Sequence, residues 1–209
     1  MIDLKPACRQ MIGLLASVGD EQLTKPTPCS EYTVRDLIAH FEEAARGLAA
    51  IARGDSGEGE GGGGGTESTA SAESVPAPVT ESVPAAESAA TMGPGDQWRE
   101  RVATSVRVLG DAWSEPGAWV GRTDGPGVEL ANELWGKIAL TEMVVHGWDM
   151  ARATDQPFAL PHETLRACFD HVVEFVPKAP VEGLWGPTVE VPADAPLLDQ
   201  LVGLTGRHP

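Results

Sequence analysis

A chain of 209 residues with 42% hydrophobic composition is long enough to bury one good core, so a single domain over 1–209 is expected. With 31 acids against 15 Lys and Arg, and a formal charge of −16, it lacks the clustered cations that hold a phosphate backbone, so no nucleic-acid partner is expected. No apolar run approaches bilayer length, and M-I-D-L-K-P-A-C-R-Q lacks a basic stretch followed by an apolar one, so the expectation is no membrane and a cytoplasmic location.

In chain order, Leu4, Cys8, Met11, Ile12, Leu15 and Val18 recur at helical spacing and predict a first amphipathic helix over about 3–18. Gly19-Asp20 ends it, and Pro26 to Pro28 mark a loop. Thr33 then caps a second helix, with Asp36 at its third position as a variant capping box. Val34, Leu37, Ile38, Phe41, Ala45 and Leu48 form the buried face, and His40 lies at its edge.

From Gly54 to Gly95 the composition changes to Gly, Glu, Ser and Pro, with no Lys, Arg or aromatic residue. Such a stretch cannot bury enough apolar area to offset its ordering entropy, so a disordered insertion between two helices is expected. It carries seven acids, Asp55, Glu58, Glu60, Glu67, Glu73, Glu81 and Glu87, which leaves the rest of the chain only mildly acidic.

Asp96 is the expected cap of a third helix through Trp98, Val102, Val106, Leu109 and Trp113. Turn residues at Asp124-Gly125-Pro126-Gly127 predict a long loop or a small hairpin. A central helix over about 129–154 follows, then another led by Pro161, then an extended Pro-punctuated run and a short helix over 197–204 with Gly206 as its cap. His171, flanked by Asp170 and Glu174, reads as part of a solvated face. Cys8, Cys29 and Cys168 are three in number without C-x-x-C spacing, which fits a reducing compartment. Cys8 and Cys168 read as small buried apolar residues, while Cys29, in the loop before His40, is the one placed to react.

The chemistry gathers in the central helix, at T-E-M-V-V-H-G-W-D-M-A-R. Residues four apart share a helix face, so Glu142 and His146 can present a carboxylate and an imidazole to one point, and Asp149 follows at the next turn. An exposed Glu–His pair is the plain alternative. Against it, Leu134, Ile138 and Val145 form an apolar stripe with Glu142, His146 and Asp149 on its flank, and polar groups at a core margin need partners. His40 is the candidate for a third ligand. Arg152 lies in the last turn of this helix, an ordinary place for an arginine. Trp135, Trp148 and Trp185 could line a pocket or fill the core.

Three segments, T-P-C-S-E-Y-T-V-R-D-L-I-A-H-F, T-E-M-V-V-H-G-W-D-M-A-R-A-T and the terminal G-R-H-P, together resemble the DinB/YfiT-like metal-binding proteins. The likeness is to the actinobacterial branch related to the mycothiol-dependent maleylpyruvate isomerase N-terminal domain. It implies an all-α fold, a four-helix bundle with a short C-terminal extension, whose helices converge on one divalent metal, zinc or nickel. It also implies that His40, Glu142 and His146 are the metal ligands, with Asp149 as a catalytic-site residue that orients a ligand or bonds to the substrate. The implied chemistry is transfer or isomerisation of a small-molecule substrate with a low-molecular-weight thiol, mycothiol, in a monomer or homodimer, and Arg152 could meet the carboxylate of that thiol cofactor or serve only as an ordinary Arg at a helix C-terminus. A non-catalytic metal- or small-molecule-binding bundle and a metal-dependent hydrolase are the alternatives. The isomerase carries a further C-terminal domain where this chain has a short segment, so maleylpyruvate itself is not the expected substrate.

Overall fold

The computed structural model describes residues 1–30, 32–55, 97–125, 128–177 and 185–209. Helix α1, Lys5–Ala16, opens on Pro6, whose fixed φ suits a first turn, and buries Ala7, Cys8, Met11, Leu14 and Leu15 along one stripe. Helix α2, Val34–Arg53, starts at the expected cap: the Thr33 N–H donates to Asp36 Oδ2 at 3.0 Å, and the Asp36 N–H donates to Thr33 Oγ1 at 3.4 Å. Gly54 ends it in the left-handed region, at φ 72°. Helix α3, Gln97–Ala112, resumes the fold. Its expected cap Asp96 and nearly all of the expected disordered insertion, at 56–96, lie outside the described residues.

Strands β1, Arg122–Gly125, and β2, Val128–Ala131, pair antiparallel from Arg122↔Ala131 to Gly125↔Val128, so the segment is a hairpin rather than a long loop. Strand β2 takes the residues expected to open the central helix, which begins at Asn132 as α4, Asn132–Thr141. A π-helical turn, Glu142–His146, joins it to α5, Gly147–Ala153, where periodicity predicted uninterrupted α-helix. This composite helix is buried on most sides, with Trp135, Ala139, Leu140, Met143, Val144 and Met150 inside. Of the predicted stripe, Val145 is buried, while Leu134 and Ile138 are only partly so.

Helix α2 packs on α3, α3 on α1, α1 on the π turn and α5, and the composite helix back on α2, which closes the four-helix bundle. Phe41, Met11, Leu15, Leu37, Ile38, Leu140 and Met143 fill its centre, and each such side chain contributes about 1.5–3 kcal/mol by leaving water. Helices α6, His162–Phe175, and α7, Leu197–Leu204, form an outer layer: α6 docks on α4 and carries α7. That layer corrects one expectation. His171 is buried and stacks on Phe175 at 4.9 Å, because its side of α6 packs inward while its neighbours Asp170 and Glu174 face outward. Among the described residues no helix is long and apolar enough to cross a membrane.

Candidate metal centre

The bundle brings one carboxylate between two imidazoles. His40, in the second turn of α2, has Nε2 3.0 Å from Oε2 of Glu142, and His146 has Nε2 3.6 Å from the same oxygen. The two imidazole rings lie 5.0 Å apart at 78°, so they approach Glu142 from different directions. One nitrogen from each histidine and one Glu142 oxygen all fall within 4.8 Å of one another. Glu142 and His146 stand at the two ends of the π turn, a rare local widening that often marks functional sites. Gly147 directly after it leaves room for Phe158, whose ring would lie 2.9 Å from a Cβ there.

Behind His146 runs a second layer of polar groups. Nδ1 of His146 lies 2.9 Å from Oδ2 of Asp149, which is fully buried. The bond assigns the Nδ1–H tautomer and leaves Nε2 free to face Glu142. Asp149 is in turn gripped by Arg207, whose Nε donates to Oδ1 at 3.1 Å and whose Nη2 donates to Oδ2 at 2.8 Å. Arg207 reaches this position through the end of α7. The Arg207 N–H donates to Val202 O and the Gly206 N–H to Gly203 O, a Schellman cap with Gly206 at φ 83°. A Cβ on Gly206 would stand 2.5 Å from Gly186 Cα, so only glycine fits where the two segments cross.

Charges follow this geometry. Burial alone would raise the Glu142 carboxyl, but the His40 hydrogen bond and the positive fields of His146, His40 and Arg207 bring it down to about 2. Burial would lower His40, yet its bond to Glu142 and the charges of Glu142 and Glu43 turn the net shift upward. Asp149 is likewise lowered against burial by His146 and Arg207. Tyr32 stacks on His40 at 5.3 Å and 26° and meets His146 edge-on at 6.4 Å. Burial first, then neighbouring Cys29 and Glu142, push its phenol upward.

These donors fit a metal. Bonds of about 2.0–2.1 Å to a tetrahedral zinc separate adjacent ligand atoms by about 3.4 Å, and the two distances to Glu142 Oε2, 3.0 and 3.6 Å, straddle that value. Two imidazoles and one carboxylate from two helices leave a fourth position open, as in catalytic rather than structural zinc sites. The family model of the mycothiol maleylpyruvate isomerase N-terminal domain matches residues 4–151, a range that holds His40, Glu142, His146 and Asp149. The chain belongs to that family. No curated protein and no solved structure matches it.

Family membership makes the chain a DinB-like bundle related to mycothiol-using isomerases and transferases. Arg152 and Arg207 lie beyond the matched range. Arg152, the sequence candidate for a thiol cofactor, is exposed, with its guanidinium 5.5 Å from the Trp148 ring centre. Arg207, which the sequence did not single out, holds Asp149. Its signal was faint: a glycine cap after a short helix turns the next residue inward, but nothing local names a partner 58 positions away. Tyr32 was also missed, because ring contacts across a loop have no sequence period.

The three cysteines divide by setting. Cys8 and Cys168 are buried and pushed up to about 12, mainly by desolvation. Cys29 is partly exposed, with its sulfur among a Cys29–His146–Asp149 group whose candidate ligand atoms lie within 4.8 Å of one another. Trp135 is a core residue whose indole N–H donates to Thr123 O at 3.0 Å, whereas Trp185 stacks against Arg207 at the edge of the site.

Proposed function

We propose that the chain is a cytoplasmic, divalent-metal enzyme that uses mycothiol, or a thiol like it, to transfer to or isomerise a small electrophilic metabolite. His40, Glu142 and His146 are the ligands, and zinc or nickel suits their two nitrogens and one oxygen. The observation that carries the reading is that Glu142 Oε2 stands between the Nε2 atoms of two histidines from different helices. When bound, the metal would supply a Lewis acid able to hold a thiol as its thiolate at neutral pH.

The chain's own residues do the rest. Asp149 keeps the His146 proton on Nδ1, so that Nε2 presents its lone pair. Arg207 neutralises Asp149 and fixes its plane with a two-pronged bond, so the carboxylate supports the histidine without competing for the metal. Phe41, fully buried and 6.1 Å from the His146 ring, walls the site from behind and limits water. Exposed Arg152, one turn beyond Asp149, is the candidate cation for a carboxylate of the thiol. In this reading the bundle and the C-terminal segment that supplies Arg207 work as one unit.

The test is metal analysis of the dialysed protein, followed by incubation with mycothiol and a chlorinated bimane. The reading expects about one divalent ion per chain and metal-dependent bimane conjugation. A metal-loaded protein inert toward the thiol would leave a binding module, and one that hydrolyses esters without the thiol would be a hydrolase.

A further inference from the structure

Residues 154–160, the loop that leaves α5, are bonded to the first part of the chain by glutamines. Gln22 Nε2 donates to Thr154 O at 3.0 Å, Gln10 Nε2 donates to Pro157 O at 3.1 Å, and Gln156 Nε2, from the loop itself, donates to Leu14 O at 3.2 Å. Lys25 adds an exposed ion pair to Asp155 at 3.1 Å. Asp155 turns the chain at φ 57°, the one positive φ outside glycine among the described residues, and the Gln156 N–H returns to Ala151 O at 2.9 Å. A left-handed residue with a side chain persists where its surroundings hold it. What this strap delivers is Phe158, which is partly buried. A Cβ on Gly147 would stand 2.9 Å from Phe158 Cε2 and 3.3 Å from its Cζ, so the ring lies against a bare Cα, and Met11 Cε of α1 closes the same spot at 3.4 Å. Gly147 has an ordinary helical φ of −61°, so glycine is required there by the nearness of the ring and not by the backbone.

We propose that Phe158 is a positioning residue of the metal centre: seated on Gly147, it holds the π turn in the register that aims His146 at Glu142, and the glutamine-bonded strap keeps it there. Gly147 follows His146 directly and ends the π turn. A π turn is one widened turn inside an α-helix, and it stays where it is only if its neighbours favour that place. Moving it along the helix by one residue would swing His146 by about 100° about the axis, whereas a working site holds its groups to within about 10–20°. Asp149 orients the imidazole ring. Phe158 orients the backbone that carries it. The inference rests on His40, Glu142 and His146 as ligands for its effect on affinity, and owes nothing to the thiol chemistry.

The test uses the full-length protein and zinc affinity by chelator competition, with urea denaturation in parallel so that affinity is read on folded chains. Phe158→Ala removes the ring and leaves the three ligands and the Asp149–Arg207 pair in place. It should bind zinc about tenfold or more weakly, as when a group that supports a ligand is lost. An affinity within about twofold of wild type would overturn the proposal. Gly147→Ala drives a methyl into the space of the ring and should weaken zinc binding likewise. Adding Phe158→Leu to Gly147→Ala makes room for that methyl and should restore most of the loss; a double variant no better than Gly147→Ala alone would also overturn the proposal.

Amide hydrogen exchange of the metal-free protein separates this idea from the metal reading beneath it. In Phe158→Ala, exchange at residues 143–147 should quicken by about tenfold or more while the amides of α2 keep their wild-type rates. If wild type retains no zinc and exchange quickens in this way, the metal reading falls and the strap stands. If wild type binds zinc and the variant matches it in affinity and in exchange, Phe158 has no such role while the metal reading stands. Faster exchange at unchanged zinc affinity would make Phe158 a packing residue alone and overturn the proposal.

Discussion

Two polar clusters sit on α2 only two residues apart, and they solve the same problem differently. Glu42 is nearly buried and takes Arg101 Nε at 2.7 Å, with Arg46 Nη2 at 4.0 Å. Asp149, deeper still, takes Arg207. Each has a permanent cation as partner. Among the described residues the groups paired with Glu142 at close range are imidazoles, and these are cations only when protonated. A carboxylate paired with guanidinium is complete, whereas one set between two imidazoles at ligand spacing is short of positive charge, and a divalent ion supplies it. Residues two apart on a helix do not face each other, so one helix serves both clusters without mixing them.

The largest expected effect breaks the contrast outright. His40→Ala and His146→Ala should each reduce retained metal to roughly a tenth of wild type or below, as read by elemental analysis after dialysis. Glu42→Gln should leave metal content unchanged and cost no more than about 1 kcal/mol in urea denaturation, because Arg101 is well exposed. Equal metal loss in all three would mean that the clusters do not differ as described.

Next comes the support behind His146. Asp149→Asn leaves Arg207, 5% exposed, without its counter-ion. Loss of a buried partner of this kind costs about 3–5 kcal/mol, and the misdirected histidine should weaken metal binding by about 10–100-fold. Denaturation of the metal-free protein and a chelator competition measure the two separately. A variant that loses stability but not affinity would make Asp149 a structural residue alone.

Much of this arrangement was legible in the sequence, and the exceptions have physical causes. The Thr33–Asp36 cap fixed where α2 starts and therefore where His40 points, since capping chemistry is local. Glu142, His146 and Asp149 were readable from spacing on one helix. The π turn was not, because side-chain periodicity hardly distinguishes one widened turn from the α-helix around it. Arg207 and Tyr32 were missed because tertiary packing, not local pattern, brings them to the site. His171 was misread because its polar neighbours face solvent while its own position faces α4, where Lys137 lies close enough to affect its charge.

A smaller effect sharpens the contrast through pH. His40 must give up its proton to ligate a metal, and its pKa is raised above the ordinary 6.5. Metal affinity should therefore climb by up to about tenfold per pH unit until the pH passes that raised value, then level off. The same pair stabilises the metal-free protein fully below 6.5 and fades as pH rises through the raised pKa. Glu42 belongs to the other cluster, so Glu42→Gln should leave the affinity profile unchanged in a pH series of metal titrations.

The smallest effect lies away from both clusters. Burial, aided by the charge of Lys137, holds His171 down to about 4. Folded His171 is neutral where an unfolded histidine already charges, so stability should fall as pH drops from 6.5 toward about 4 and level off below. The slope should be at most about 1.4 kcal/mol per pH unit across that span, and His171→Phe should remove it from pH-dependent urea denaturation.

X-ray absorption of the zinc-loaded protein in thiol-free buffer addresses the centre itself. Two imidazole nitrogens and a carboxylate oxygen at roughly 2.0–2.2 Å are the expected protein ligands, and one imidazole should vanish in His40→Ala. A spectrum dominated by sulfur at about 2.3 Å, or one that His40→Ala leaves unchanged, would place the ion elsewhere and contradict the account.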